Sequence, residues 1–223
     1  MKITFLGTGA ADWNMSEHKG WKGFRRNSSA LIDDILLIDP NSDVLDALET
    51  FNKDKNAIKY VINTHRHSDH FNENTLSALS ATFFPLSAGE RVKIGKYTVT
   101  ALPANHSTVK WPDHFIIDDG KSKLFYGLDG AWLSYDEYVA IKNTSIDYGV
   151  FDATIGDVPG DFRIFEHNNL NMVLEMKHTL KQYIKRFCIS HLARTLHEDH
   201  DVVAQKMKAH DVEVAYDGYE TEF

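Results

Sequence analysis

Cysteine is almost absent: Cys188 is the only one in 223 residues. A lone thiol makes no internal disulfide and no thiolate metal cluster, so the expectation is a reducing compartment. Basic residues are in deficit, with 24 Lys and Arg against 32 Asp and Glu and a net charge of -8. An acidic chain without a basic arm repels phosphate backbones, which argues against broad nucleic-acid binding. No apolar run reaches the ~18 residues that a membrane helix needs. The opening Met1-Lys2-Ile3-Thr4-Phe5-Leu6-Gly7 is broken by glycine too early for a secretory leader. Repeats, linkers and low-complexity tracts are also missing. The reading is one cytoplasmic domain over residues 1–223, large enough to bury a real core.

Histidine is what the chain has in quantity, twelve of them, so any metal would be held by imidazole and carboxylate. Apolar periodicity predicts strands in hairpins over 28–32 and 35–38, 91–94 and 97–102, and 114–117 and 123–126, with isolated strands over 3–6, 58–62, 146–151, 186–189 and 212–216. Helices are expected after Pro40-Asn41-Ser42, over 72–80, after a Ser134/Glu137 capping box, over 168–183, and after Thr195 with Glu198 as a second capping pair. Hairpins giving way to alternating strands and helices predict an α/β fold of two mixed sheets packed face to face with helices outside.

The chemical signal is the run His65-Arg66-His67-Ser68-Asp69-His70, which follows the apolar Tyr60-Val61-Ile62 and precedes a helix. Three imidazoles and a carboxylate on a loop at a strand end have no packing role, and they suit zinc, manganese or iron. His106, Asp129 and His191 each lie just after another predicted strand, which puts all seven on one edge of the sandwich. Asp39 also follows a strand, as a turn residue or as an acceptor for a ligand histidine. Cys188, inside an apolar strand, reads as inert core. Trp111-Pro112 and Ala131-Trp132 are placed either at a pocket mouth or in plain packing. Arg25 and Arg26 are either surface charges or contacts for a substrate phosphate.

These motifs resemble the metallo-β-lactamase superfamily: Phe5-Leu6-Gly7-Thr8-Gly9, Leu37-Ile38-Asp39, Asn63-Thr64 with the histidine run, Asn105-His106, Leu128-Asp129 and Ser190-His191 stand in the family's order across nearly the whole chain. The resemblance implies a four-layer αββα sandwich and two divalent metal ions, Zn or Mn with Fe also accepted. His65, His67 and His106 would bind one ion, Asp69, His70 and His191 the other, and Asp129 would bridge. Such ions, about 3.5–4 Å apart, share a water and lower its pKa.

A narrower resemblance is to the cyclic phosphodiesterases of phosphonate breakdown. It rests on Asn27-Ser28-Ser29-Ala30, Leu102-Pro103-Ala104-Asn105-His106-Ser107, Glu166-His167-Asn168-Asn169-Leu170 and Tyr216-Asp217-Gly218-Tyr219-Glu220. That group carries a cysteine-rich zinc loop, and residues 12–26 here have no cysteine. The resemblance implies Asp69 and His167 as catalytic residues, with His167 the general acid. The expected function is a metal-dependent phosphodiesterase on a small, cyclic or linear, phosphate ester. The alternatives are a lactonase or thioesterase, an RNA-processing nuclease, or a metal-binding module without activity. A homodimer is compatible with the sequence; nucleic acid and membrane are not expected partners.

Overall fold

The computed structural model describes residues Met1–Phe223. One sheet holds β1 (Lys2–Gly7), β2 (Ser29–Ile32), β3 (Leu36–Ile38), β4 (Tyr60–Ile62), β5 (Thr82–Phe84) and β13 (Glu220–Glu222), in the order β13-β1-β2-β3-β4-β5. The other holds β6 (Arg91–Ile94), β7 (Tyr97–Pro103), β8 (Asp113–Asp118), β9 (Lys123–Gly127), β10 (Ile146–Asp152), β11 (Ile184–Ser190) and β12 (Val212–Val214), in sequential order. Both are mixed in the same manner. Antiparallel pairs come first, and pairing turns parallel from β3 to β5 and from β9 to β12.

Each parallel pair needs a crossover, and a crossover helix packs on an outer face. After the short α1 (Met15–His18), these crossovers are α2 (Val44–Thr50) and α3 (Glu73–Ala78) on the first sheet, and α4 (Tyr135–Thr144), α5 (Leu170–Leu180) and α6 (His200–Lys208) on the second. The expected αββα sandwich is therefore present. Ile3, Phe5, Ile38 and Ile62 meet Val99, Phe115, Tyr126, Val150 and Cys188 between the sheets. Phe125, Phe151 and Ile189 face the other way, beneath Ile141, Val173, Met176 and Met207. Leu31, Leu37 and Val61 lie beneath Val44 and Leu48. A strand covered on both faces reads as a continuous apolar run, as Leu124-Phe125-Tyr126 does. Burial pushes the Cys188 thiol up to about 12, which makes it inert core as expected.

The hairpin at Asp33-Asp34 forms, with both residues at positive φ (48° and 60°), the twist that a two-residue turn demands. Two three-residue edge strands, β5 and β13, were not anticipated; Glu220-Thr221-Glu222 has no apolar residue and is held by pairing with β1. The Thr195/Glu198 capping pair does not form. α6 starts five residues later, and Thr195 Oγ1 donates to Asp12 Oδ2 at 2.8 Å. No helix is long and apolar enough to cross a membrane.

At the start of β8, Asp113 is buried and its Oδ1 has no partner; burial pushes its pKa up to about 7. An unfolded aspartate titrates near 3.9. The fold thus keeps a proton that the unfolded chain releases between about pH 4 and 7. The contribution of this group to stability is greatest at acid pH and is lost as pH rises through that window, on the order of 2–4 kcal/mol. Asp113→Asn imitates the protonated acid, so its stability gain over the parent in denaturant unfolding should grow from pH 5 to pH 8. A constant difference would mean that Asp113 is ionised in the fold.

Candidate metal centre

Parallel strands present their carboxyl ends on one edge, where a mixed α/β sheet places its sites. His65, His67, Asp69 and His70 follow β4, His106 follows β7, Asp129 follows β9 and His191 follows β11. All seven converge. His65, His67, His106 and Asp129 offer ligand atoms within 4.8 Å of one another, and so do Asp69, His70, Asp129 and His191. The chain adopts left-handed backbone to aim three of the residues at this edge: Asp39 (φ 61°), Asp129 (58°) and His191 (61°). Such residues cost about 1–3 kcal/mol each and persist where the surroundings enforce them.

The donor atoms face one another. His67 Nδ1 lies 3.0 Å from His65 Nε2 and 3.2 Å from His106 Nε2, and His70 Nε2 lies 3.2 Å from His191 Nε2. Asp129 Oδ2 is 3.2 Å from His65 Nε2 and 3.1 Å from His70 Nε2, while Oδ1 is 2.8 Å from His191 Nε2 without accepting a properly aligned hydrogen bond. Asp69 Oδ2 is 3.5 Å from His70 Nε2. Four donors about 2.0–2.1 Å from a tetrahedral ion lie about 3.3–3.4 Å apart. Converging nitrogens at this spacing fit a cation and are a poor hydrogen-bond network. Burial, with the neighbouring His70 charge, pushes His65 down to about 4, which keeps it in the neutral form that ligates. Burial opposes charge on His70 and His191 too, yet the carboxylates around them, Asp129 foremost, raise both well above the ordinary value.

Behind the donors, other side chains fix the imidazoles. His70 Nδ1 donates to Asp39 Oδ2 at 2.9 Å, which gives Asp39 the role of acceptor. Thr64 Oγ1 contacts His65 Nδ1 at 3.0 Å and donates to Asp39; Thr154 Oγ1 contacts His191 Nδ1 at 2.7 Å and donates to Asp152. His106 Nδ1 donates to the backbone O of Glu166 at 3.2 Å, and the Glu166 carboxylate, also 3.2 Å from that nitrogen, accepts from Ser107 Oγ at 2.5 Å. Such partners set tautomer and ring orientation.

His167 stacks on His191, with ring centroids 5.5 Å apart, and its Nδ1 meets Asp152 Oδ2 at 2.9 Å. Burial disfavours its charge, but Asp152 outweighs burial and raises its pKa. Asp152 also groups with Asp129, His167 and His191 as metal-type donors. Its oxygens, however, already accept from Thr154 N, Thr154 Oγ1, Asn168 N and His167, which makes it an orienting group. Sequence reasoning missed Asp152, Thr64 and Thr154. Asp152 carried the same signal as Asp39 and Asp129, an aspartate closing an apolar strand.

Five of the seven donors (His67, Asp69, His106, Asp129 and His191) line a cavity of about 220 Å³ together with His167, Asp12, Thr108 and Arg163. Arg25 and Arg26 are neither surface charges nor part of this cavity; both are buried. Arg25 Nη1 donates to Thr8 Oγ1 and Ala215 O, and Arg26 pairs with Asp46 at 2.7 Å, so the guanidinium groups are consumed inside the fold. Trp111 is 81% exposed and lies outside the cavity lining, and Trp132 lines a separate groove with Leu133, Tyr138 and Met176.

No family model matches the sequence, and no curated protein matches it. Solved structures do match. YhfI of Bacillus subtilis, a metallo-β-lactamase fold protein, superposes with a TM-score of 0.77 at 17% identity over 100% of this chain and 99% of that one. A diphosphatase of the PhnP family gives 0.75 at 16% identity, over 100% and 97%. Short-form human tRNase Z gives 0.73 at 17% identity, over 100% and 99%. At such identities the likeness is one of fold.

Proposed function

We propose that this chain, which has the metallo-β-lactamase fold, is a metal-dependent hydrolase that cleaves a small phosphodiester, cyclic or linear. The observation that carries the reading is His167, held by Asp152 beside seven converging donors. Those donors would hold two divalent ions, with Asp129 shared between them. Zinc, manganese and iron all accept imidazole and carboxylate. Bound there, the ions would supply Lewis-acid polarisation of the phosphoryl group and activation of the attacking water.

The chain's own residues do the rest. Asp39, Thr64, Thr154 and Glu166 keep the imidazoles aimed at the centre. With Nδ1 of His167 engaged by Asp152, Nε2 is the atom left to give a proton to the leaving oxygen. A proton donor matters for an alkoxide leaving group, which favours a phosphodiester over a thioester. The cavity, below the ~300 Å³ lower end of drug-sized pockets, suits a small substrate. The likeness to a PhnP-family diphosphatase supports phosphoryl chemistry; that to tRNase Z makes RNA an outcome to be tested.

The test is a panel of bis-(p-nitrophenyl) phosphate, p-nitrophenyl phosphate, a lactone, a thioester and an RNA, run with metal-loaded protein. The diester should exceed the monoester by about tenfold or more, a difference of ~1.4 kcal/mol in barrier. Faster turnover of lactone or thioester would move the enzyme to carbonyl chemistry, and efficient RNA cleavage would make it a nuclease.

A further inference from the structure

Asp129 is the one donor that serves both groups, and it sits on the left-handed turn after β9, followed by Gly130. Two asparagines clasp this turn. Asn105 O accepts from Ala131 N at 3.0 Å while Asn105 Nδ2 donates to Ala131 O at 2.7 Å, and Asn168 Nδ2 donates to Gly130 O at 2.9 Å. A third contact comes from His114, buried on β8. A Cβ placed on Gly130 would come within 2.7 Å of His114 Cε1 and 2.8 Å of Nε2, so only a residue with no side chain fits against this ring.

The ring is itself fixed from behind. His114 Nδ1 lies 2.5 Å from Oε1 of Glu137, which is fully buried in the first turn of α4. The other oxygen, Oε2, accepts from Ser134 N at 2.7 Å, and Glu137 N donates to Ser134 Oγ at 3.2 Å. One carboxylate thus caps a helix and props an imidazole. A cap works at the surface and does not need a buried partner, and burying a Glu–His pair carries a desolvation cost.

We propose that Glu137 and His114 are positioning residues: a strut running from the α4 N-terminus through the imidazole to Gly130, holding the Asp129 carboxylate where both metal ions can share it. This rests on reading the seven donors as a two-metal centre. Neither residue would touch substrate or metal; both act through the turn. Partners that orient metal ligands typically contribute 10–100-fold in metal affinity.

The test compares four variants of the full chain loaded with Mn(II), read by calorimetry, by electron paramagnetic resonance of the exchange-coupled pair, and by melting temperature. Ser134→Ala removes half of the cap and leaves the strut intact. Glu137→Ala removes both. Gly130→Ala drives a methyl into His114 without disturbing the cap. Glu137→Gln can still accept from Ser134 and meet Nδ1. Ser134→Ala and Glu137→Ala should both melt lower. Only Glu137→Ala and Gly130→Ala should weaken binding of the second Mn(II), by about 10–100-fold, and lose the coupled signal. Glu137→Gln should keep it. Glu137→Ala binding metal as Ser134→Ala does would overturn the strut. If Glu137→Ala does not fold, Gly130→Ala decides, and unchanged affinity there overturns it equally. A parent protein that takes up no second ion would overturn the two-metal reading and the strut with it.

Discussion

Replacing His67 and Asp69 together by alanine should strip the protein of metal and of its hydrolytic activity. The two residues belong to different donor groups: His67 stands with His65, His106 and Asp129, and Asp69 with His70, Asp129 and His191. Each group then falls from four donors to three, and the deficit arises at both ions at once. The remaining histidines still face one another at about the spacing seen now, and protons are the only cations left to offset Asp129. Elemental analysis by mass spectrometry should give about two ions per chain for the parent, as a two-metal site requires, and well under one for the double variant. A double variant that kept the parent's full metal content would sink the assignment of the centre, whatever its activity.

His167→Ala should slow cleavage of a diester with a poor alkoxide leaving group by ~10²–10⁴-fold, the usual worth of general acid catalysis, with metal content unchanged. The expectation follows from its surroundings. Nδ1 is committed to Asp152, the ring stacks on His191, and the side chain lines the same cavity as His67, Asp69, His106, Asp129 and His191. Asp152 favours the protonated form, so the proton is present to be given. With p-nitrophenolate, which departs without a proton, the loss should shrink sharply. Equal losses with both leaving groups would point to a role in binding. Metal loss in the variant would place His167 among the ligands, alongside Asp129, Asp152 and His191, with which it also clusters.

Much of this arrangement was legible in the chain. Local order carried it: three hairpins with turn residues at fixed offsets, with a helix expected over 72–80 and another after the Ser134/Glu137 capping box, gave the layer order. The seven donors were legible because four crowd one loop after an apolar strand and the other three each follow a further apolar strand. What was missed is non-local. β13 contains Glu220-Thr221-Glu222 and is a strand only because β1 offers it an edge, so no periodicity announces it. Arg25 and Arg26 are ordinary surface residues by type. Arg26 is buried because Asp46 on α2 and Asp217 near the last strand reach it, contacts that span 20 and 191 residues of sequence, and Arg25 because Thr8, Ala215 and His200 do. Thr64 and Thr154 carry no signal by themselves; their hydroxyls matter because Asp39 and Asp152 lie on one side and a histidine on the other.

The origin of the donors has a mechanical consequence. Four of them, His65, His67, Asp69 and His70, ride on the loop after β4 in one sheet, while His106, Asp129 and His191 come from the other. An ion held from both sides is a tie across the seam of the sandwich, where the layers otherwise cohere through apolar contact. Ligand that binds only the native state adds about 4 kcal/mol at a thousandfold excess over its dissociation constant, a sizeable share of a typical ~5–15 kcal/mol of folding free energy. With the proposed ions in place, how firmly the two halves stay together would be set by the free metal around the protein as much as by its residues. On that reading, a melting temperature measured for this chain would have meaning only alongside the metal concentration at which it was taken.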